Sequence, residues 1–299
     1  MTFDTNMCQN PKQTIFGVIQ MRGRYQKPSI FWSVVGAAVL LFTAQGYTAI
    51  DPATAVAVWL FNEDGGDLAK DLTENALDAE FLDPVKWTDG KFDGGLEFKS
   101  GGLVNAGASP LLNVGTANFS MLAWFKYSKT ADDWHATIIE KADFAMPRHG
   151  YLLCVRGNLD PNNKGKPLFW FGLAQGAGVH LFGTSPINDG KWHHLAATAD
   201  RKGAMKLYRD GKLEAEKDIS AQQKENEDNH KPFTMGGEAG VASRSLVDGV
   251  IDEAALFNVV LTEDQITEIA QKGLARTLGA EAVSPNDKLA TTWAKIKRK

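Results

Sequence analysis

The chain is poor in cysteine, and this scarcity excludes two classes of protein. Its 299 residues contain two cysteines, Cys8 and Cys154. Disulfide-stapled scaffolds and zinc sites built on thiolates both need more sulfur than this. Because Cys8 lies in a predicted leader, the mature chain keeps Cys154 alone and forms no internal disulfide. The fold must therefore be stabilised by an apolar core, which a chain of this length is able to bury.

A strong charge of one sign is also lacking. Lysine and arginine number 32, aspartate and glutamate number 36, and the formal net charge is −4. Proteins that bind nucleic acid present a basic face, so this balance argues against DNA or RNA as a partner. With 43% hydrophobic and 23% charged residues, the composition is that of a globular protein rather than of a disordered one.

The most apolar stretch, residues 30–42, is short for a membrane-spanning helix, which needs about 20 residues. Basic residues precede it at positions 22, 24 and 27, and small residues follow it up to Ala49. This order is typical of a secretory signal peptide. We therefore predict that residues 1–49 are a leader, within which Met21 is the true translation start. The mature protein is predicted to be secreted, periplasmic or on the cell surface. An uncleaved membrane anchor is the alternative.

After residue 50 the chain consists of short strand-like runs separated by glycine, aspartate and asparagine. This spacing, without a long helical period, predicts an all-β sandwich or barrel. The runs lie at 55–61, 95–105, 119–128, 136–141, 151–156 and 167–173. One helix is predicted within 260–274, because Thr262 and Gln265 form a capping box and Gly273 stops the helix. The basic amphipathic tail, residues 276–299, is interpreted as a loosely docked helix or as an attachment peptide.

The segment 189–212 combines two adjacent histidines with repeated turn sequences. On a strand, His193 and His194 point to opposite faces and cannot bind one metal ion from the same side. Residues 200–203 form a turn sequence, and the Asp-Gly pair at 210–211 favours a two-residue hairpin with positive φ angles. The segment therefore predicts a three-stranded meander rather than a catalytic or metal site.

This segment resembles the central signature of laminin-G-like, concanavalin A-like jelly-roll domains, in which a turn and Trp-His-His lead into an apolar strand. Three further stretches resemble the same family: 55–81 its opening strand and acidic loop, 90–104 its Gly-Gly strand, and 249–269 its closing strand and helix. The resemblance implies an all-β, two-sheet antiparallel jelly-roll sandwich over residues 50–275 with one short C-terminal helix. This fold supports many functions, so function must be inferred from individual sites.

The acidic loop after the first predicted strand is a candidate calcium site. Ca²⁺ takes about six to eight oxygen ligands, and glycines in the loop allow backbone carbonyls to turn towards an ion. The candidate side chains of the loop are Asn62, Asp64, Asp67 and Asp71. The alternative is a solvated loop whose aspartates cap turns.

The family resemblance implies, in some members, a structural calcium ion held by this loop and by an acidic residue of the closing strand. In this chain that residue is Asp252, and strand alternation predicts that Glu253 points to the opposite face. We therefore expect calcium as a cofactor, with Asp64, Asp67 and Asp252 as its ligands.

A second candidate site would bind carbohydrate, which needs an exposed aromatic ring beside hydrogen-bonding groups. Trp134 has acidic and polar neighbours that place it in a loop, and His135 and Arg148 are its candidate partners. A structural anchor that covers a sheet edge is the alternative interpretation of Trp134. Four other tryptophans lie in apolar runs and are expected in the core: Trp59, Trp124, Trp170 and Trp192.

A third candidate site consists of Glu214, Glu216 and Asp218, which alternate along one predicted strand. Glucanases of this fold carry carboxylates at such a spacing, because it places them together in a cleft. The order of residue types differs from the glucanase pattern Glu-x-Asp-x-x-Glu, and no aromatic cluster surrounds these residues. We therefore expect no enzymatic activity. The favoured function is recognition of a glycan or an extracellular protein; a structural envelope scaffold and a glucanase are the alternatives.

Overall fold

The computed structural model describes residues 49–82 and 84–280, which form two antiparallel sheets. The described strands are β1 (Ala55–Trp59), β2 (Leu68–Ala69), β3 (Ala79–Leu82), β4 (Val85–Asp89), β5 (Gly94–Phe98), β6 (Leu103–Asn105), β7 (Phe119–Lys126), β8 (His135–Asp143), β9 (His149–Arg156), β10 (Pro167–Phe171), β11 (Val179–Phe182), β12 (Trp192–Ala199), β13 (Ala204–Arg209), β14 (Lys212–Asp218), β15 (Thr234–Met235) and β16 (Val250–Phe257).

The strand order is that of a two-sheet sandwich with crossing connections. Sheet A has the order β14-β13-β12-β7-β16-β5-β4, and β1 pairs with β16. Sheet B has the order β11-β10-β9-β8-β15-β6-β3-β2. Strands far apart in the chain are neighbours in both sheets, such as β7 beside β16 and β8 beside β15. This architecture confirms the predicted jelly-roll sandwich.

The main core lies between the sheets. Because side chains alternate along a strand, every second residue points into this space. Met121 and Phe125 of β7 meet Leu153 of β9 and Phe169 of β10 there, and all four are fully buried. Trp59 belongs to the same core, as predicted.

The meander predicted for 189–212 is confirmed, since β12, β13 and β14 are consecutive neighbours in sheet A. Asp210 and Gly211 have φ angles of 53° and 82°, as a two-residue hairpin turn requires. His194 is fully buried, whereas His193 forms hydrogen bonds with the carboxylates of Asp189 and Asp210. The two histidines therefore have separate structural roles.

The helices α1 (Glu263–Lys272) and α2 (Leu274–Thr277) cover the outer face of sheet A. The capping box of Thr262 and Gln265 is present at the start of α1. Ile266 and Ile269 of α1 pack in a second apolar core with Leu122 of β7. No described helix combines the length and apolar character that a membrane span requires. Residues 1–48 of the predicted leader and 281–299 of the tail lie outside the described residues, so both remain predictions.

Candidate ligand-binding face

The outer face of sheet B carries a small apolar cluster. Alternate residues of the neighbouring strands β8, β9 and β10 meet on this surface. Leu152, Cys154, Leu168 and Trp170 form the cluster and are almost completely buried. Phe144, from the loop after β8, lies over Trp170 with ring centroids 5.0 Å apart. Trp170 is therefore buried as predicted, but outside the main core.

A cavity of about 260 Å³ lies on the same face. Its lining includes Glu140 of β8, Thr234 of β15, Phe144 and Glu238. Glu140 and Thr234 face each other across the pairing of β8 with β15. The cavity thus combines an aromatic ring with carboxylate and hydroxyl oxygens, a mixture that suits a polar ligand with apolar patches.

Trp134 stands in the loop before β8 and is 47% exposed. Asp133 Oδ1 accepts its backbone N–H at 2.6 Å, and the Arg156 guanidinium lies 5.5 Å from its ring centroid. A cation against an indole face stabilises the position of the ring. Trp134 is therefore both exposed and held in place, as a binding platform requires.

The other two predicted ligand-binding residues are more enclosed than Trp134. His135 is 3% exposed. Arg148 is half-buried; its Nε donates to the Phe144 carbonyl at 3.2 Å, and its Nη1 donates to the Gly176 carbonyl. Arg148 therefore joins two loops, and Trp134 is the most exposed of the three predicted residues.

His135 belongs instead to a cluster that sequence analysis missed. Its Nε2 lies 3.7 Å from Glu140 Oε2 and 3.8 Å from Glu238 Oε2. Within the described residues, these three side chains are a group whose ligand atoms all lie within 4.8 Å of one another. Glu140 follows His135 on one strand, but Glu238 is distant in the chain. Its approach depends on the pairing of β15 with β8, which no local pattern reveals.

Arg244 and burial set the charges of this cluster. Arg244 donates to Glu238, and its Nε lies 3.3 Å from Asp133 Oδ1. Burial, together with the positive charge of Arg244, lowers the pKa of His135 to about 3. Burial and the negative charge of Glu238 raise the pKa of Glu140 well above its ordinary value. His135 is therefore neutral at pH 7, and the environment favours a protonated Glu140.

Asp252, the predicted calcium ligand of the closing strand, is fully buried on β16. Its Oδ2 accepts the backbone N–H groups of Lys91 and Phe92, each at 2.8 Å. Its Oδ1 is buried and has no hydrogen-bond partner. Burial raises the pKa of this carboxyl to about 8. A buried carboxylate oxygen without a partner is a suitable ligand for a hard cation.

Backbone carbonyls crowd the glycines beside Asp252. A Cβ on Gly90 would lie 1.8 Å from the Gly94 carbonyl oxygen and 2.8 Å from Asp252 Oδ2. A Cβ on Gly94 would lie 2.2 Å from the Phe61 carbonyl oxygen. Only glycine fits such close approaches. The Gly94 carbonyl oxygen and Asp252 Oδ2 therefore both lie against Gly90, and they are oxygen donors of the kind that Ca²⁺ takes.

Asp64 and Asp67 are exposed in the loop between β1 and β2. Their carboxylates and that of Asp252 do not gather within 4.8 Å of one another. The two other acidic-loop candidates accept backbone hydrogen bonds: Asn62 Oδ1 accepts the Gly94 N–H at 2.8 Å, and Asp71 accepts several backbone N–H groups. Of the three predicted calcium ligands, Asp252 alone is buried and has a carboxylate oxygen without a hydrogen-bond partner, whereas Asp64 and Asp67 are exposed.

Glu253 does not point away from Asp252, so the strand-alternation prediction for it was wrong. The pairing of β16 with β7 slips between Asp252 and Ala255, and Glu253 has a φ angle of 49°. Such a bulge interrupts the alternation of side chains. Glu253 Oε2 accepts the Leu274 N–H at 2.9 Å, at the start of α2. Both acids therefore serve the outer side of sheet A.

The three predicted carboxylates on β14 do not all share one cleft, although Glu216 and Asp218 line the same cavity beside the start of α1. Each of the three has its own partners along this edge strand: Arg209 and Thr184 for Glu214, Lys206 for Glu216, and Ser220 for Asp218. Glu214 is the most enclosed, with 5% of its side chain exposed, whereas half of Glu216 is exposed. Glu216 and Asp218 therefore lie on a solvated sheet edge, whereas Glu214 is enclosed beside Thr184 and Arg209.

Solved structures with a similar fold include binding domains. The binding domain of Paraclostridial Mosquitocidal Protein 1 has a TM-score of 0.58 and 14% identity, over 73% of this chain and 52% of that one. Domain 4 of AbnA, a GH43 extracellular arabinanase from Geobacillus stearothermophilus solved with arabinotriose, has a TM-score of 0.56 and 19% identity, over 73% and 98% of the two chains. The ligand binding domain of botulinum neurotoxin serotype D, solved with N-acetylneuraminic acid, has a TM-score of 0.55 and 17% identity, over 74% and 51%.

At these identities the likeness concerns the fold alone, and the chain spans about half the length of the two toxin domains. No curated protein sequence matches the chain. The sequence profile of the concanavalin A-like lectin/glucanases superfamily matches residues 99–267, which is more than half of the chain. The protein therefore belongs to the concanavalin A-like lectin/glucanases superfamily.

Proposed function

We propose that this protein is an exported, non-catalytic recognition module that binds a glycan on the outer face of sheet B. The observation that carries the proposal is Trp134, an indole that is 47% exposed and held against Arg156. Sugars stack their apolar faces on such rings while polar side chains bind their hydroxyl groups. The cavity that Glu140, Thr234 and Glu238 line supplies polar groups on the same face.

Two of the similar structures support a sugar as the ligand class. Domain 4 of AbnA was solved with arabinotriose, and the serotype D toxin domain with N-acetylneuraminic acid. An extracellular protein partner and a structural envelope scaffold are the competing functions. A glucanase is disfavoured, because Glu214, Glu216 and Asp218 are bound to separate partners on the edge of sheet A.

Calcium has a structural role in this proposal. Asp252 and the carbonyl of Gly94 would hold the ion beside the loop 90–94, on sheet A. The ion would supply positive charge to a buried carboxylate and fix this loop, and it would not touch the glycan.

A glycan array tests the main proposal. We expect the mature chain to bind a defined set of oligosaccharides, and we expect Trp134→Ala to weaken that binding at least tenfold, because it removes the stacking platform. Isothermal titration with the best oligosaccharide of the array measures the change in Kd.

Trp192→Ala is the matched control. Trp192 also pairs with a cation, Lys126 at 5.2 Å from its ring centroid, but it lies on sheet A. This variant should retain the affinity of the parent chain. An array without a single bound glycan would favour a scaffold or protein-binding role, and equal affinity in Trp134→Ala would exclude the proposed platform.

A further inference from the structure

The cluster of His135, Glu140 and Glu238 on sheet B has the composition of a metal site. It brings together one imidazole nitrogen and two carboxylate oxygens from β8 and from the loop after β15. Imidazole and carboxylate are the ligands with which proteins bind zinc and similar divalent ions. Sites that bind calcium are built from oxygen, so the histidine distinguishes this cluster from the site at Asp252.

The histidine nitrogen has no hydrogen-bond partner, although it is buried. His135 Nε2 is enclosed by the protein and aimed between the two glutamates, at distances too long for hydrogen bonds. Buried polar atoms almost always have a hydrogen-bond partner. A buried polar atom without one indicates that another group, such as a bound ion or water molecule, interacts with it. A metal ion between Nε2 and the two carboxylates would satisfy it.

The spacing of the three atoms suits an ion of this size. Ligands at about 2.0–2.1 Å from a tetrahedral zinc ion lie about 3.3 Å from one another. The observed separations of 3.7 Å and 3.8 Å from His135 Nε2 exceed this value by a few tenths of an ångström, and the two carboxylate oxygens lie within 4.8 Å of each other. Binding of an ion would therefore draw the Glu140 and Glu238 carboxylates closer together.

Arg244 faces the cluster. Its guanidinium pairs with Asp133 and with Glu238 Oε2, the same oxygen that lies 3.8 Å from His135 Nε2. An ion bound by the cluster would therefore share the Glu238 carboxylate with Arg244, whose pairing with Asp133 is separate from the cluster. Glu140 and Glu238 also line the cavity, which provides a path for the ion.

We propose that His135, Glu140 and Glu238 bind a divalent transition-metal ion, with Zn²⁺ as the expected occupant. Three protein ligands leave at least one coordination position for water or another small ligand. The proposal concerns the metal alone and does not depend on whether the protein binds a glycan.

Metal titration of the untagged mature chain tests this proposal. ZnCl₂ is titrated calorimetrically in the presence of excess Ca²⁺, which occupies sites made of oxygen only. We expect one equivalent of zinc to bind. We also expect CoCl₂ to produce visible absorption bands that zinc abolishes, because Co²⁺ in a low-coordinate nitrogen and oxygen site is coloured.

Two ligand variants and one control separate this site from the surface. His135→Gln and Glu238→Gln should each weaken zinc binding at least tenfold. Glu238 lies at the rim of the cavity, and a glutamine at this position still accepts a hydrogen bond from Arg244. The Glu238→Gln variant is therefore expected to keep the melting temperature of the parent. It tests the proposal even if His135→Gln does not fold. His193→Gln removes a histidine that also lies between two carboxylates, those of Asp189 and Asp210, and should bind zinc as the parent does. Absence of zinc binding by the parent, unchanged binding in Glu238→Gln, or loss in His193→Gln would overturn the proposal.

Discussion

The outer faces of the two sheets are covered differently. On sheet A, α1 and α2 bury an extended apolar core that includes Leu122, Phe257 and Ile266. On sheet B, a smaller cluster around Trp170 is covered by one loop residue, Phe144, and a cavity lies on the same face. A cavity of about 590 Å³ also lies on the outer side of sheet A, between β13, β14 and the start of α1. The two faces therefore differ in what covers their apolar residues, which is two helices on sheet A and mainly a loop residue on sheet B.

Two pairs of acids, one on each of these faces, differ in the groups that they contact. On sheet A, Asp252 and Glu253 accept backbone N–H groups of the loop 90–94 and of α2. On sheet B, Glu140 and Glu238 contact other side chains: Thr137, His135 and Arg244. Carboxylates that bind backbone amides fix chain segments in place, whereas those that meet side chains beside a cavity are available for chemistry with a ligand. The comparison teaches that the helix-covered face stabilises the fold, whereas the proposed recognition site lies on the face where an exposed indole and polar side chains stand together.

The largest expected effect comes from opening the covered face. Ile266→Ala removes a fully buried side chain between α1 and sheet A. Such a truncation costs about 2–5 kcal/mol of unfolding free energy, because it leaves a cavity in a packed core. Chemical denaturation followed by circular dichroism measures the loss. Leu82→Ala, which truncates a side chain that is 43% exposed at the end of β3 in sheet B, should cost under about 1 kcal/mol. Equal losses in the two variants would contradict the contrast between the faces.

A smaller effect is expected from calcium at Asp252. An ion that binds only the folded state stabilises it by about 2.7 kcal/mol when its concentration is 100 times its Kd. We therefore expect the melting temperature to be higher in CaCl₂ than in EDTA, and Asp252→Asn to remove this difference. Elemental analysis of the dialysed protein should find the ion.

Variants of the acidic loop sharpen this prediction. Because the structure keeps Asp64 and Asp67 apart from Asp252, Asp64→Asn and Asp67→Asn should retain the calcium-dependent shift. Loss of the calcium-dependent shift in these variants would show that Asp64 and Asp67 are calcium ligands, as the sequence predicts. Identical melting temperatures in CaCl₂ and EDTA for the parent chain would end the calcium proposal.

Most of the fold could be predicted from the sequence because its signals are local. The Asp210–Gly211 turn fixes a hairpin, and the pairing of Thr262 with Gln265 starts a helix. Each signal spans a few residues and acts through backbone geometry that any fold must obey. The alternation of apolar residues then identifies the core faces of the strands.

The candidate site could be predicted only in part, because its groups come from distant segments. Trp134 was identified by its polar neighbours, and its exposure is as expected. Glu238 approaches His135 through strand pairing and a loop path that no short motif encodes. Glu253 departs from alternation because of a bulge, which the sequence does not mark with a glycine.

The smallest expected effect is a pH dependence that arises at His194, on the covered face. Its ring packs 5.4 Å from that of Trp124, neither ring nitrogen has a hydrogen-bond partner, and burial lowers its pKa to about 4, although Asp210 acts in the opposite direction. The unfolded chain takes up a proton near pH 6.5, so the contribution of His194 is complete above that pH and is lost as the pH falls towards 4. Between pH 7 and about 5.5 this loss amounts to about 1 kcal/mol. His194→Leu should remove it, as measured by urea denaturation at the two pH values.

His193 is the control, because Asp210 and Asp189 raise its pKa, so its contribution is present at low pH and is lost as the pH rises. His193→Gln should therefore make stability fall more steeply on acidification. A pH profile of His194→Leu that matches the parent would show that this buried histidine does not govern the acid sensitivity of the covered face.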